Sequence, residues 1–159
     1  MAVEIQTGFT AEQRGETAAG LTKLMADTYA LYLKTHGYHW NVRGPHFAEL
    51  HTLFEGQYTE LWEAVDALAE RIRALGEFAP QGYGAFANLT AIKDGHPEQP
   101  AERMVEELMR DQETAIATAR AALRPATDAD DQATIDLLTQ RLIAHEKQAW
   151  MLRATIGGK

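Results

Sequence analysis

Residues 36–55 read HGYHWNVRGPHFAELHTLFE. Two helical patterns meet at Gly44-Pro45. Glycine closes a helix through its freedom at positive φ, and proline opens one because its missing N–H would be unpaired in a first turn anyway. His39 lies six residues before Pro45 and His51 six residues after it. If the chain doubles back at this break, both imidazoles stand level on neighbouring helices. There they can share one metal ion, or each can be an ordinary surface or core histidine with its own hydrogen bond.

Outward from the break, apolar residues recur at helical spacing and no segment alternates like a strand. Upstream, Leu21, Leu24, Met25, Thr28, Leu31 and Tyr32 mark a first helix from about Thr10 to Val42. Thr10 and Gln13 form a capping box at its start, while Gly15 and Gly20 weaken its first turns. Downstream, a second helix runs from about His46 to Leu75 and stops at Gly76. Residues 76–100 carry Pro80, Gly82, Gly84, Gly95 and Pro97, with Phe86, Leu89 and Ile92 spaced for a short helix inside the connection. A third helix is expected from Pro100 to near Leu123, a turn with a cap over Pro125 to Asp131, and a fourth helix to about Ile156. Short, long and short connections between four helices predict an all-α, ferritin-like four-helix bundle with one long crossover. The expected organisation is one domain over residues 1–159 with a short tail at 1–10.

The second helix also carries acids. His51, Glu55, Tyr58, Trp62, Asp66 and Glu70 fall within a sector of about 120° at 100° per residue. Fifteen residues of rise place Asp66 about 22 Å from His51, beyond any common coordination sphere. If His39, His51, Asp66 and Glu70 serve one site, a second chain supplies half of it. A two-fold axis near Thr59 and Glu60 would bring His51 of one copy beside Asp66 and Glu70 of the other, twice per dimer. Alternatively Asp66 and Glu70 are solvated charges, Glu70 paired with Arg73.

Composition narrows the chemistry. Among 159 residues, 45% are hydrophobic and 24% charged, and there is no cysteine, which excludes disulfide scaffolds, thiolate metal sites and cysteine nucleophiles. Any metal must sit on nitrogen and oxygen. Fifteen Lys and Arg against 23 Asp and Glu give a net charge of -8, the wrong sign for a nucleic-acid module. No apolar run is long enough for a membrane span, and the N-terminus lacks signal-peptide regions, so a cytoplasmic protein is expected. No Glu is followed by His three residues later, as an intrabundle di-iron site would require. His145-Glu146 is not completed as a zinc-protease step either.

The run His39-Trp40-Asn41-Val42-Arg43-Gly44-Pro45-His46-Phe47, continued by His51, Phe54-Glu55, Asp66, Ala69-Glu70-Arg71 and Trp150-Met151-Leu152, resembles the Dps family, the mini-ferritins or DNA-binding proteins from starved cells. The resemblance implies a hollow cage of twelve four-helix subunits, a homododecamer, with ferroxidase sites between two-fold-related chains. It places His39 and His51 on one subunit and Asp66 and Glu70 on its partner, with Glu55 as an acidic second ligand or a group behind the ligands. Implied substrates are Fe(II), oxidised and stored as ferric mineral, and hydrogen peroxide, whose removal protects the cell. Zinc can substitute, since the same ligand types accept it. A metal-buffering cage without turnover is one alternative, and a DNA-compacting structural protein is another. DNA binding is doubtful, because the first 20 residues hold Glu4, Glu12 and Glu16 against Arg14, and only Gly157-Gly158-Lys159 follow the last helix.

The remaining residues have two readings each. The resemblance makes Trp40 a residue that borders the site and quenches stray oxidant; its other reading is a core aromatic. Tyr58 and Trp62 pack at the two-fold centre, and Trp150 is core. His36 is a supplementary ligand or a surface residue; His46, His96 and His145 are structural or surface. Within 126–140, Asp128, Asp130, Asp131 and Asp136 stand without any Lys or Arg. Asp128 is expected to cap the fourth helix, and the resemblance makes Asp136 a pore residue that draws in ferrous ions.

Overall fold

The computed structural model describes residues 4–158. Its helices are α1 (Ala11–Asn41), α2 (Phe47–Ala74), α3 (Tyr83–Leu89), α4 (Ala101–Asp128) and α5 (Gln132–Thr155). The capping box forms as expected: Gln13 N–H donates to Thr10 Oγ1 at 3.2 Å, and Thr10 N–H donates to Gln13 Oε1 at 2.9 Å. Gly44 takes φ +122° at the break, and the chain folds back into α2. α1 pairs with α2, α4 with α5, and α1 with α4, whereas α2 and α5 touch only sparsely.

Two apolar clusters fill the bundle. One lies toward the Gly44 turn, around Leu31, Tyr38, Phe54, Leu61, Leu108 and Leu152. The other lies toward the opposite end, around Leu21, Leu24, Leu68, Ile72 and Leu138. Each such side chain, fully buried, contributes about 1.5–3 kcal/mol. Between the clusters runs a polar band. Arg141 grips Glu60 through both its terminal nitrogens, Gln148 Nε2 donates to Glu60 at 2.9 Å, and Gln112 Nε2 donates to Gln148 at 2.5 Å. His145, fully buried, donates from Nδ1 to Gln112 Oε1 at 2.6 Å. Burial, and then the neighbouring Arg141 charge, push this imidazole down to about 3, so it is neutral.

The crossover is anchored at two points. Buried Asp27 accepts from Thr90 Oγ1 at 2.7 Å, Ala91 N–H at 2.8 Å and Thr118 Oγ1 at 2.6 Å. Further on, Gly95 passes so close to the Tyr38 hydroxyl that a Cβ there would come within 2.3 Å of the phenol oxygen. Tyr38 in turn donates to Glu107 at 2.5 Å and accepts from Gln99 at 2.8 Å. The short helix spans Tyr83–Leu89, so Ile92 falls beyond it and reaches the core from an extended segment.

Three expectations need correction. Helix α4 does not stop near Leu123 but continues through Pro125 to Asp128. Proline removes only the bond to the Ala121 carbonyl, and Ala121 is an exposed residue, so the loss falls on the solvent side of the helix. The cap of α5 is Asp131, not Asp128: its carboxylate accepts from Thr134 N–H at 3.0 Å and holds Arg71 of α2 at 2.7 and 2.8 Å. Trp150 is not core but 58% exposed. Residues 1–3 of the tail and Lys159 lie outside the described residues. Residues 4–10 lead onto the end of α2, where the Ile5 side chain abuts Gly76. Among the described residues no helix is long and apolar enough to cross a membrane.

Candidate metal centre

The hairpin at Gly44-Pro45 brings His39 of α1 and His51 of α2 into a stack, with ring centroids 3.7 Å apart and planes inclined by 19°. Each ring is tied to the other helix. His39 Nδ1 lies 2.8 Å from the His51 carbonyl oxygen, and His51 Nδ1 lies 2.9 Å from the His39 carbonyl oxygen. A carbonyl only accepts, so both Nδ1 atoms carry the proton and donate. This fixes the tautomer and leaves both Nε2 lone pairs free on adjacent rings. A hydrogen bond from the far nitrogen to a carbonyl is the usual way a protein orients a metal-binding imidazole.

Aromatic rings frame the pair. Tyr58 meets His39 edge-on at 5.1 Å and stacks on His36 at 3.9 Å. His36 also contacts Trp40 at 4.2 Å, and its Nδ1 lies 3.2 Å from the Tyr32 hydroxyl. Burial, with a smaller contribution from His39, holds His36 below the usual imidazole range. Tyr32 packs against Trp62 at 5.2 Å, and Phe47 against His51 at 5.0 Å. Neither Trp40 nor Trp62 is core, at 65% and 56% exposure. Trp40, Phe47 and Trp62 are thus exposed on the two helices that carry the histidines, while His39 itself is buried.

The acids do not join them within one chain. Because α2 is one unbroken helix, Asp66 and Glu70 lie about 22 Å and further from His51 along it. Both are exposed and make no ion pair among the described residues. Arg73 turns elsewhere, donating to the Glu77 carbonyl at 2.8 Å and lying over the Phe78 ring at 4.4 Å, so Glu70 has no Arg73 partner. Glu55, one turn after His51, is exposed, as is Asp136 in the second turn of α5. Among the described residues no group of three or more His, Cys, Asp or Glu could hold a metal ion. One chain thus presents two neighbouring imidazoles, with Asp66 and Glu70 far along α2 and without ion pairs among the described residues.

Two features escaped the sequence reading. The reciprocal carbonyl bonds have no signature in residue types, since backbone supplies the acceptors. The stacking of His36 on Tyr58 joins two helices and has no local signature; only the row of Tyr32, His36 and Trp40, four apart on α1, was visible as spacing.

Comparison with known proteins follows the same lines. A Ferritin-like domain model matches residues 18–158. The chain is 40% identical over 157 residues to a low temperature-induced protein of Nostoc, covering 98% of this chain and 88% of that one. It is 38% identical over 134 residues to DNA protection during starvation protein 2 of Bacillus anthracis, covering 84% and 92%. The crystal structure of the Dps protein of Vibrio cholerae, described as a member of a broad superfamily of ferritin-like diiron-carboxylate proteins, superposes with a TM-score of 0.92 at 29% identity, covering 98% and 99%.

Proposed function

This chain belongs to the Dps family of the ferritin-like superfamily, and from that premise we propose that it is a ferroxidase and iron store that consumes hydrogen peroxide at sites shared between two copies. The observation that carries the reading is the stacked His39–His51 pair, locked through both Nδ1 atoms, with neither Nε2 atom hydrogen-bonded among the described residues. In the proposed site these imidazoles bind ferrous iron, and Asp66 and Glu70 of a two-fold-related copy complete its coordination, with Glu55 as a further carboxylate. The pairing suits the substrate. Imidazole accepts Fe(II), and carboxylates stabilise the extra charge of Fe(III) as it forms.

The net reaction takes two Fe(II), one hydrogen peroxide and two protons to two Fe(III) and two waters. Both electrons leave together, so no hydroxyl radical is released. Trp40, exposed and beside His36, is placed in this scheme as a quencher of one-electron oxidant that escapes. Asp136 is proposed to line an acidic pore, and the assembly to be a homododecamer with the ferric mineral inside. Zinc would occupy the same ligands as a competitor without turnover. Protection of DNA, which names several relatives, would here come from peroxide removal in the cytoplasm rather than from binding phosphate, which a chain of charge -8 repels.

Stopped-flow measurement of iron oxidation tests this. The expected stoichiometry is two Fe(II) per peroxide, and His51→Ala or Asp66→Ala should each slow the fast phase by about 100-fold or more. Unchanged rates in both variants would overturn the assignment.

A further inference from the structure

The polar band between the two apolar clusters is arranged around one cationic group. Arg141 Nη2 lies 3.0 Å from Glu60 Oε2 on α2 and 3.4 Å from His145 Nε2 on its own helix, and Nη1 pairs with Glu60 Oε1. A guanidinium only donates, so His145 accepts through Nε2. Its proton is then on Nδ1, which donates to Gln112 Oε1 of α4 at 2.6 Å. Gln112 donates in turn to Gln148, and Gln148 donates to the same Glu60 oxygen at 2.9 Å. The Arg141 side chain is only 6% exposed, and His145 is fully buried.

These contacts have the form of a metal position. The imidazole aims one lone pair at a cation while its far nitrogen is fixed by a hydrogen bond to an oxygen, which is how a metal-bound histidine is oriented. The other group facing the cation is a carboxylate, itself oriented by Gln148. A carboxylate with an imidazole suits zinc, cobalt and ferrous ions. Glu60 also reaches the groove between α2 and α5, so the position has a route from solvent. The guanidinium fills this frame incompletely, because its Nε is buried with no partner among the described residues. Stability does not call for the charge either, since apolar residues of similar volume serve a core as well as a buried ion pair does.

We propose that Arg141 is a resident cation seated in a metal position inside the bundle, and that Glu60 and His145 take a divalent metal ion there, completed by water, when the guanidinium is removed. In the native chain Arg141 is a plug that keeps divalent metal out of the bundle interior. Gln112 and Gln148 are positioning residues, one holding the imidazole and the other the carboxylate. None of these bonds involves His39 or His51, so the plug acts whatever the histidine pair does.

Cobalt(II) binding to the full-length, iron-free protein tests this, counted by equilibrium dialysis and read by its d–d absorption. Arg141→Ala, which opens the position, should bind one more cobalt ion per chain than the native protein, and the metal should raise its Tm. Arg141→Met removes the charge but fills the space, and should add none. Arg141→His sets a second imidazole one turn before His145, and should hold the added ion about tenfold more tightly than Arg141→Ala, or better. Adding His145→Leu to Arg141→Ala should abolish the extra ion, whereas His145→Leu in the native background should leave the cobalt count unchanged. An extra ion in Arg141→Met, its survival in the double variant, a lower count in His145→Leu alone, or no extra ion at about 1 mM cobalt in both Arg141→Ala and Arg141→His would overturn the proposal.

Discussion

Replacing His51 by alanine removes one imidazole and leaves the other where it was, because His39 Nδ1 donates to the backbone carbonyl of residue 51 and not to its side chain. The same holds in reverse for His39→Ala. Each variant should therefore lose iron oxidation at a cost of about 1–3 kcal/mol in unfolding free energy, from the carbonyl left without its donor, which a denaturant titration reads without loss of the fold. The buried imidazole of His145 behaves differently. Its folded-state value is pushed down to about 3, so the unfolded chain takes up a proton first as pH falls. Its contribution is fully present above the ordinary histidine range and is lost as pH drops from about 6.5 toward 3. His145→Asn, which keeps a donor for Gln112, should lower stability at neutral pH and flatten the denaturation midpoint across that window. At this scale the matched six-residue offsets from Pro45 revealed that His39 and His51 would be neighbours. The sequence did not reveal burial: Trp150 reads as core by residue type, and only packing shows it exposed.

Helix ends were the least legible elements, and for an identifiable reason. Asp128, Asp130 and Asp131 all precede α5 with cap-forming chemistry, and Pro125 reads as a stop unless its lost bond falls on the solvent side of the helix. Only tertiary structure selects Asp131, because Arg71 of α2 stands ready to pair with it. Burial alone would raise this carboxyl, but the Arg71 and Thr134 bonds outweigh it and hold it below the usual range. Asp131→Ala removes a cap and a part-buried ion pair, and should cost about 2–4 kcal/mol by denaturant titration. In the native protein the contribution of Asp131 is present above its ordinary unfolded value and fades as pH falls below it. The crossover depends on Asp27 in the same way. Asp27→Ala frees Thr90 and Ala91, so amide exchange should accelerate at residues 90–92 well before it does in α1 or α4. The long connection itself was legible from its glycines and prolines, whereas its anchors were not, since Asp27 lies 63 residues from Thr90.

For the whole molecule, four long helices with one extended crossover followed from hydrophobic period and connection length alone. Their pairing places two imidazoles together and leaves Trp40, Phe47 and Trp62 uncovered beside them. The net charge of -8 predicts that no band shift with duplex DNA will be seen at neutral pH and physiological salt. The central claim is that a working centre takes its histidines from one copy and its acids from another. Co-assembly of equal amounts of His51→Ala and Asp66→Ala chains measures this directly. In a mixed two-fold pair, one centre combines both lesions and the other has neither, so random mixing should restore about a quarter of the wild-type fast phase of iron oxidation. Activity no greater than that of either variant alone would contradict the account.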